Sequence, residues 1–315
     1  MVWRSYLNPL SRISQKHFPQ SNKVLRIVSM DKFELVALRN GTTSLRCLDN
    51  RETFHPGIGP AEEANILHVE QQRIVERVQK MQGFCLWDVG LGAAANVVMA
   101  IKALENNIPS GHKVCIFSFD KTLKPLEFAL QNAGELKYLL GLERQIEKLI
   151  KDGKVNIGSN IEWHLRGEFT KEISTPSTRN LRAPDAIFYD PYSAKGNPEM
   201  WSLDTFINLR KILEPDRMCL LTNYTASTYI RVTLLLAGFF VGYGCTVDKK
   251  LHTTVASNTL DALKKPLDKA WLTERVRVSH SAAPIRTIPH EIAPLSEDDY
   301  KLLLKHPQFA PHESR

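Results

Sequence analysis

The sequence predicts an α/β fold: a doubly wound, mostly parallel seven-stranded sheet behind a small N-terminal hairpin-plus-helix extension. Two observations carry this prediction. Short apolar runs alternate with helical-period segments from about Phe84 to Thr259, a pattern of strands buried on both faces under crossover helices. Gly90, Gly92, Asp120 and Asp190 all fall at the carboxyl ends of such runs, where open α/β sheets bind their ligands.

The elements follow in order. Residues 1–30 carry Arg4, Arg12, Lys16, Lys23 and Arg26, with no acid before Asp31. This basic arm reads as a phosphate-contacting extension, an organellar targeting peptide or a solvated terminus. Phe33–Arg39 and Thr42–Leu48 are strand-like and flank Asn40-Gly41, the dipeptide of tight type I′ hairpins. A helix begins near Pro60 with Glu62 and Glu63 in its first turn, and carries Ala64, Leu67, Ile74, Val75 and Val78 at helical spacing.

The main domain, residues 83–259, opens on the strand Phe84–Val89 and a helix over Ala93–Leu104. Lys113–Phe119, Ile161–Leu165, Ala186–Tyr189 and Met218–Leu221 are further strands. Helices are expected over Pro125–Ala133, Leu142–Lys151, Leu203–Leu213 and Ser227–Ala237. Phe239–Gly242 and His252–Ala256 suit a closing antiparallel pair. Residues 260–315, interrupted by prolines, read as a peripheral tail with a short helix near Glu297–Leu304.

Composition narrows the function classes. A net charge of +7 and a pI near 9.1 favour a polyanionic partner. The five cysteines show no CxxC and no metal-ligand spacing, and Cys85, Cys115 and Cys219 lie in apolar runs. That suits a reducing, cytoplasmic compartment and argues against metal and disulfides alike. No apolar run approaches the ~18 residues of a membrane helix; the longest, Leu234–Val241, is broken by Gly238.

Asp88-Val89-Gly90-Leu91-Gly92 is a strand-to-helix glycine turn shared by dinucleotide and sulfonium-nucleoside sites. Asp88 tilts it toward S-adenosyl-L-methionine, because a carboxylate there suits an ammonium and repels a pyrophosphate. Asp120, closing the second strand of the main domain, is placed to take both ribose hydroxyls or else to cap the next helix. Glu168 could face the adenine edge or simply be solvated. Asp190, in Asp190-Pro191-Tyr192, is the expected group for holding an acceptor amine, with Tyr192 as a wall. His55, Tyr224 and Thr225 are candidates for the acceptor side, each with ordinary loop packing as the alternative.

Together these residues resemble the methyltransferase domain of the bifunctional tRNA 5-methylaminomethyl-2-thiouridine biosynthesis protein and its stand-alone relatives. The matching stretches are Glu52-Thr-Phe-His-Pro-Gly with Gly59-Pro-Ala-Glu-Glu63-Ala, and Asp88-Val-Gly-Leu-Gly92 with Asn96. Asp185-Ala-Ile-Phe-Tyr-Asp190 through Asn197-Pro-Glu-Met-Trp201, Thr222-Asn-Tyr-Thr-Ala226 and Ala237-Gly-Phe239 complete them. The resemblance implies methyl transfer from S-adenosyl-L-methionine to the aminomethyl group of a modified wobble uridine in tRNA. It implies cofactor contacts near Gly90, Gly92, Asp120 and Glu168, and the acceptor amine near Asp190. Pro191 and Thr228 stand where the family has glycine, departures that bear on the acceptor more than on the cofactor. The family's flavin-dependent oxidase half has no counterpart, since no second glycine fingerprint is present. Two alternatives on the same fold are an aminopropyltransferase of polyamine synthesis and a non-catalytic tRNA-binding module.

Overall fold

A computed structural model describes residues 32–175, 181–247 and 251–310. The basic arm of residues 1–30 lies outside them. The hairpin pairs β1 (Phe33–Ala37) with β2 (Thr43–Cys47) antiparallel. Its turn is not type I′, which needs φ > 0 at two residues. Among Arg39, Asn40 and Gly41 only Gly41 is left-handed (φ 82°), and Gly41 N–H bonds back to the Leu38 carbonyl. This is a three-residue loop ending in a glycine bulge.

The single helix expected after Pro60 is broken in two. α1 (Pro60–Ala64) runs into a π-helical turn (Asn65–Glu70), and Arg73 turns left-handed (φ 53°) before α2 (Ile74–Lys80). The sheet behind it accounts for the break. His68 and Gln72, both 0% exposed, reach the Thr222 hydroxyl at 2.7 and 2.8 Å, and Gln72 also donates to the Ile187 carbonyl. His68 stacks on Phe188. Two polar side chains drawn to one point outweigh regular helix geometry.

Eight strands form the main sheet, one more than predicted. They are β3 (Gly83–Val89), β4 (Lys113–Phe119), β5 (Lys154–Ile157), β6 (Ile161–Arg166), β7 (Ala186–Tyr189), β8 (Leu220–Asn223), β9 (Phe240–Thr246) and β10 (His252–Ser257). Their order is β5-β6-β4-β3-β7-β8-β10-β9. β6, β4, β3, β7 and β8 are parallel, while β5, β10 and β9 run antiparallel to their neighbours. The added strand, β5, follows α6 (Glu143–Asp152) and closes onto β6 through a short turn containing Gly158.

Side chains alternate between two cores. Phe84 and Leu86 of β3 join a layer with α3 (Ala95–Leu104), α4 (Lys124–Gln131) and α6. Cys85, Trp87 and Val89 face the layer of α7 (Phe169–Ser174), α8 (Leu203–Ile212) and α9 (Thr228–Leu236). The C-terminal segment is not peripheral. Its helix stands where expected, α10 (Glu297–Leu304), with the four-residue α5 (Ala133–Leu136) the remaining short helix. Leu267, Trp271, Leu272, Val276, Ile285, Leu303 and Phe309 are buried in the second core. The side chain of Gln308 completes the hydrogen bonding of Val241 on the edge strand β9.

Strand order reverses between β3 and β7: the chain winds outward through β4 and β6, then returns to lay β7 and β8 on the other side. The crevice beyond the carboxyl ends of strands flanking such a switch point is where doubly wound sheets bind ligands.

Candidate functional site

A cavity of about 570 Å³ opens at this switch point. Its floor is two backbone loops pressed together. Gly90 (φ 91°) follows β3, and a β-carbon there would lie 2.6 Å from the Asp190 carbonyl oxygen and 2.7 Å from Pro191 Cα. The first glycine of the motif is thus required by the neighbouring loop itself. Gly92 (φ 49°) would similarly strike Phe54, 2.8 Å away.

Asp120 lies in the wall with its carboxylate held by backbone: Gly92 N–H donates to Oδ2 at 3.0 Å and Thr122 N–H to Oδ1 at 3.2 Å. It does not cap α4, which begins after Leu123. Burial raises its pKa, against the lowering effect of these N–H groups. Glu168 lines the cavity beside Phe169 and pairs with Lys171 at 2.8 Å. The Thr170 hydroxyl also donates to it, and these two contacts keep its pKa low.

Asp88 does not line the cavity. It is 1% exposed beneath the glycine turn, where Oδ2 accepts the Ser118 hydroxyl at 2.8 Å, itself held by Trp163 Nε1. Burial pushes its pKa up to about 7, with the charges of Asp190 and Asp120 adding to the rise. Its Oδ1 has no partner among the described residues.

Asp190 follows β7 and accepts Asn96 Nδ2 at 2.7 Å. Burial raises its pKa to about 6, with Glu63 adding to the rise and His55 and Asn96 opposing it. His55 Nε2 stands 3.9 Å from Asp190 Oδ2, and His55 Nδ1 3.7 Å from Glu63 Oε1. Burial pulls the imidazole pKa down, but Glu63 and Asp190 outweigh it and the net shift is upward. Tyr192 lines the wall edge-on to Phe54, with ring centroids 5.4 Å apart. Tyr224 lines the opposite side against Trp201, whose Nε1 donates to the Tyr192 carbonyl at 2.9 Å. Trp201 is therefore a strut between two walls.

Thr225 does not reach the cavity. Its hydroxyl accepts Ser227 N–H at the start of α9, and its carbonyl accepts Thr254. Glu52 and Glu63 are wall residues that sequence reasoning did not name for the site. Glu63 passed as a helix-dipole acid, yet Glu62 alone is exposed in that role while Glu63 turns inward. Glu52, read only as part of the family match, accepts the Ser193 hydroxyl and clamps the N-terminal extension onto the Asp190 loop. A sequence signal did exist for Glu63: the adjacent Glu62-Glu63 pair puts one acid on each side of α1.

Cys115, Glu162 and His164 converge outside this cavity, with ligand atoms within 4.8 Å of one another. Linear spacing could not show it, because Cys115 and Glu162 are partners in the β4–β6 register.

The wall is acidic. Among the described residues, Glu52, Glu63, Asp120, Glu168, Asp190 and Glu199 line it against one lysine, Lys121. Such a lining suits S-adenosyl-L-methionine, whose sulfonium and ammonium are cationic.

The comparisons point the same way. Residues 165–259 match a family described as S-adenosyl-L-methionine-dependent methyltransferase. The MnmC protein of Ectopseudomonas mendocina, a tRNA 5-methylaminomethyl-2-thiouridine biosynthesis bifunctional protein, is 26% identical over 194 residues. Its Pseudomonas fluorescens counterpart is 22% identical over 192 residues. These alignments take in 57% and 56% of this chain but only 28% of either relative, so the match spans just over a quarter of their length. The crystal structure of MnmC2 from Aquifex aeolicus superposes with a TM-score of 0.65 at 26% identity, covering 88% of this chain and 86% of that one. No described helix is long and apolar enough to cross a membrane. The chain carries a Rossmann-like sheet and is similar to S-adenosyl-L-methionine-dependent methyltransferases and to the MnmC proteins.

Proposed function

We propose that this chain is an S-adenosyl-L-methionine-dependent methyltransferase acting on an amine, the aminomethyl group of a modified wobble uridine in tRNA. The observation that carries the reading is Asp190, a half-buried carboxylate just after β7 in an acid-lined cavity. Bound S-adenosyl-L-methionine would supply an electrophilic methyl group on sulfur, and Asp120, Glu168 and the Gly90–Gly92 turn are the residues to hold it. Asp190 would accept the N–H hydrogens of the acceptor and so aim its lone pair, a positioning contribution. A hydroxyl acceptor offers such a carboxylate only one hydrogen, and an anionic acceptor would be repelled by the wall. Tyr192 and Tyr224 offer aromatic faces for a base. The similarity to MnmC, named for biosynthesis of a methylaminomethyl-thiouridine in tRNA, supports the tRNA assignment.

The test is methyl transfer from labelled S-adenosyl-L-methionine to tRNA from cells lacking wobble-amine methylation, followed by nucleoside mass spectrometry. Label in a methylaminomethyl-uridine is expected. Label in a polyamine product or in no tRNA nucleoside would send the acceptor elsewhere. Asp190→Ala should lower kcat at least ~100-fold while cofactor affinity stays within a factor of about three; surviving turnover would remove Asp190 from the amine site.

A further inference from the structure

We propose that His55 and Glu63 form a proton relay behind Asp190, so that the site receives its acceptor as a protonated amine and neutralises it in place. This rests on the amine reading above.

Three observations carry it. His55 stands between two carboxylates, one ring nitrogen toward each, with side-chain exposures of 10% for His55, 12% for Glu63 and 15% for Asp190. The separations, 3.7 and 3.9 Å, are longer than hydrogen bonds and short enough to close into them when substrate is bound. His55 is also left-handed (φ 45°), a strained conformation for a non-glycine residue that recurs at active sites. Finally, Glu63 faces inward while its neighbour Glu62 is exposed.

An aminomethyl group is an ammonium in neutral water and has no lone pair to offer. In the relay one N–H bond breaks, its electron pair stays on nitrogen, and the proton passes through Asp190 to His55 Nε2. Glu63 accepts from Nδ1, which keeps Nε2 free to receive, then stabilises the imidazolium until the proton leaves to solvent. Glu63 acts through His55 and is a positioning residue. Among the described residues, the titratable groups facing this cluster are Glu52 after the hairpin, His68 in the π turn, Asp88 on β3, Tyr224 after β8 and Cys245 on β9. Burial holds His68 neutral, which leaves His55 as the proton carrier.

Two measurements on the full chain test this. The first is NMR titration of histidine-labelled, cofactor-free protein, with His55→Gln assigning the signal. Glu63→Gln keeps the side-chain shape and should lower the His55 midpoint by at least ~0.5 pH unit; an unmoved midpoint overturns the relay whatever the acceptor. The second is the pH profile of methyl transfer. His55→Gln should lose ~10–100-fold in kcat at pH 7 with tRNA KM little changed, and recover most of it near pH 10, where the amine is neutral in solution. A loss equal at every pH, or no loss at pH 7, overturns the proposal. Wild-type protein that methylates no amine refutes the amine reading instead, and the titration still reports on Glu63 and His55.

Discussion

Asp88 and Asp120 end neighbouring strands, but their surroundings set them apart. Asp120 keeps its carboxylate in the wall, held by two backbone N–H groups yet with lone pairs to spare. Asp120→Ala should weaken S-adenosyl-L-methionine binding by ~1–3 kcal/mol, a ~5–150-fold rise in Kd by calorimetry; unchanged affinity would exclude a direct contact. Asp88 is buried with a pKa near 7, whereas an unfolded chain ionises it near ~4. Between those values the folded state binds more protons, so its contribution to stability falls as pH rises from about 4 to 7 and is absent below 4. Asp190, raised to about 6, contributes with the same sign. Asp88→Asn should therefore gain stability relative to wild type between pH 4 and 8, by up to ~2–4 kcal/mol. Urea melts at both pH values check it, and a difference independent of pH would mean that Asp88 is ionised in the fold.

At the scale of elements, the site is a set of loops that constrain one another. Gly90 accommodates the Asp190-Pro191 backbone, Gly92 accommodates Phe54, and Glu52 binds Ser193. Gly90→Ala would have to displace the Asp190 loop and adopt φ near 91°. A loss of ~2–4 kcal/mol in stability is expected, together with weakened cofactor binding. A variant with wild-type melting temperature and activity would show that the loops can separate at little cost. The N-terminal extension, read from sequence as a separate zone, supplies His55, Glu52 and Glu63 to the cavity, and through them a whole wall of it.

For the whole molecule, the strand alternation visible in the sequence led to the sheet, but the order of strands, and hence the switch point, arises only when the chain folds. The C-terminal segment shows why a polar, proline-broken stretch misleads. Its apolar residues are too few for a core of their own, yet Trp271, at 6% exposure, and Leu272, at 0%, fill the second layer beside α9. Trp271→Ala should cost ~3–5 kcal/mol by urea unfolding. A loss under ~0.5 kcal/mol would place this segment outside the cooperative unit.

Local physics was legible in the sequence because it is local. Alternating apolar runs require a sheet covered on both faces, and glycines mark where the backbone must bend or be approached. These determined the fold class and the place of Asp120 and Asp190 at strand ends. Tertiary structure decided what depends on contacts between residues far apart in the chain. It withdrew Asp88 and Thr225 from the cavity wall and turned Glu63 into it, set His55 between two carboxylates, and broke one helix to seat His68 and Gln72 on Thr222. Each outcome depends on burial and on a partner more than a turn away in sequence, and neither can be read from a residue and its neighbours.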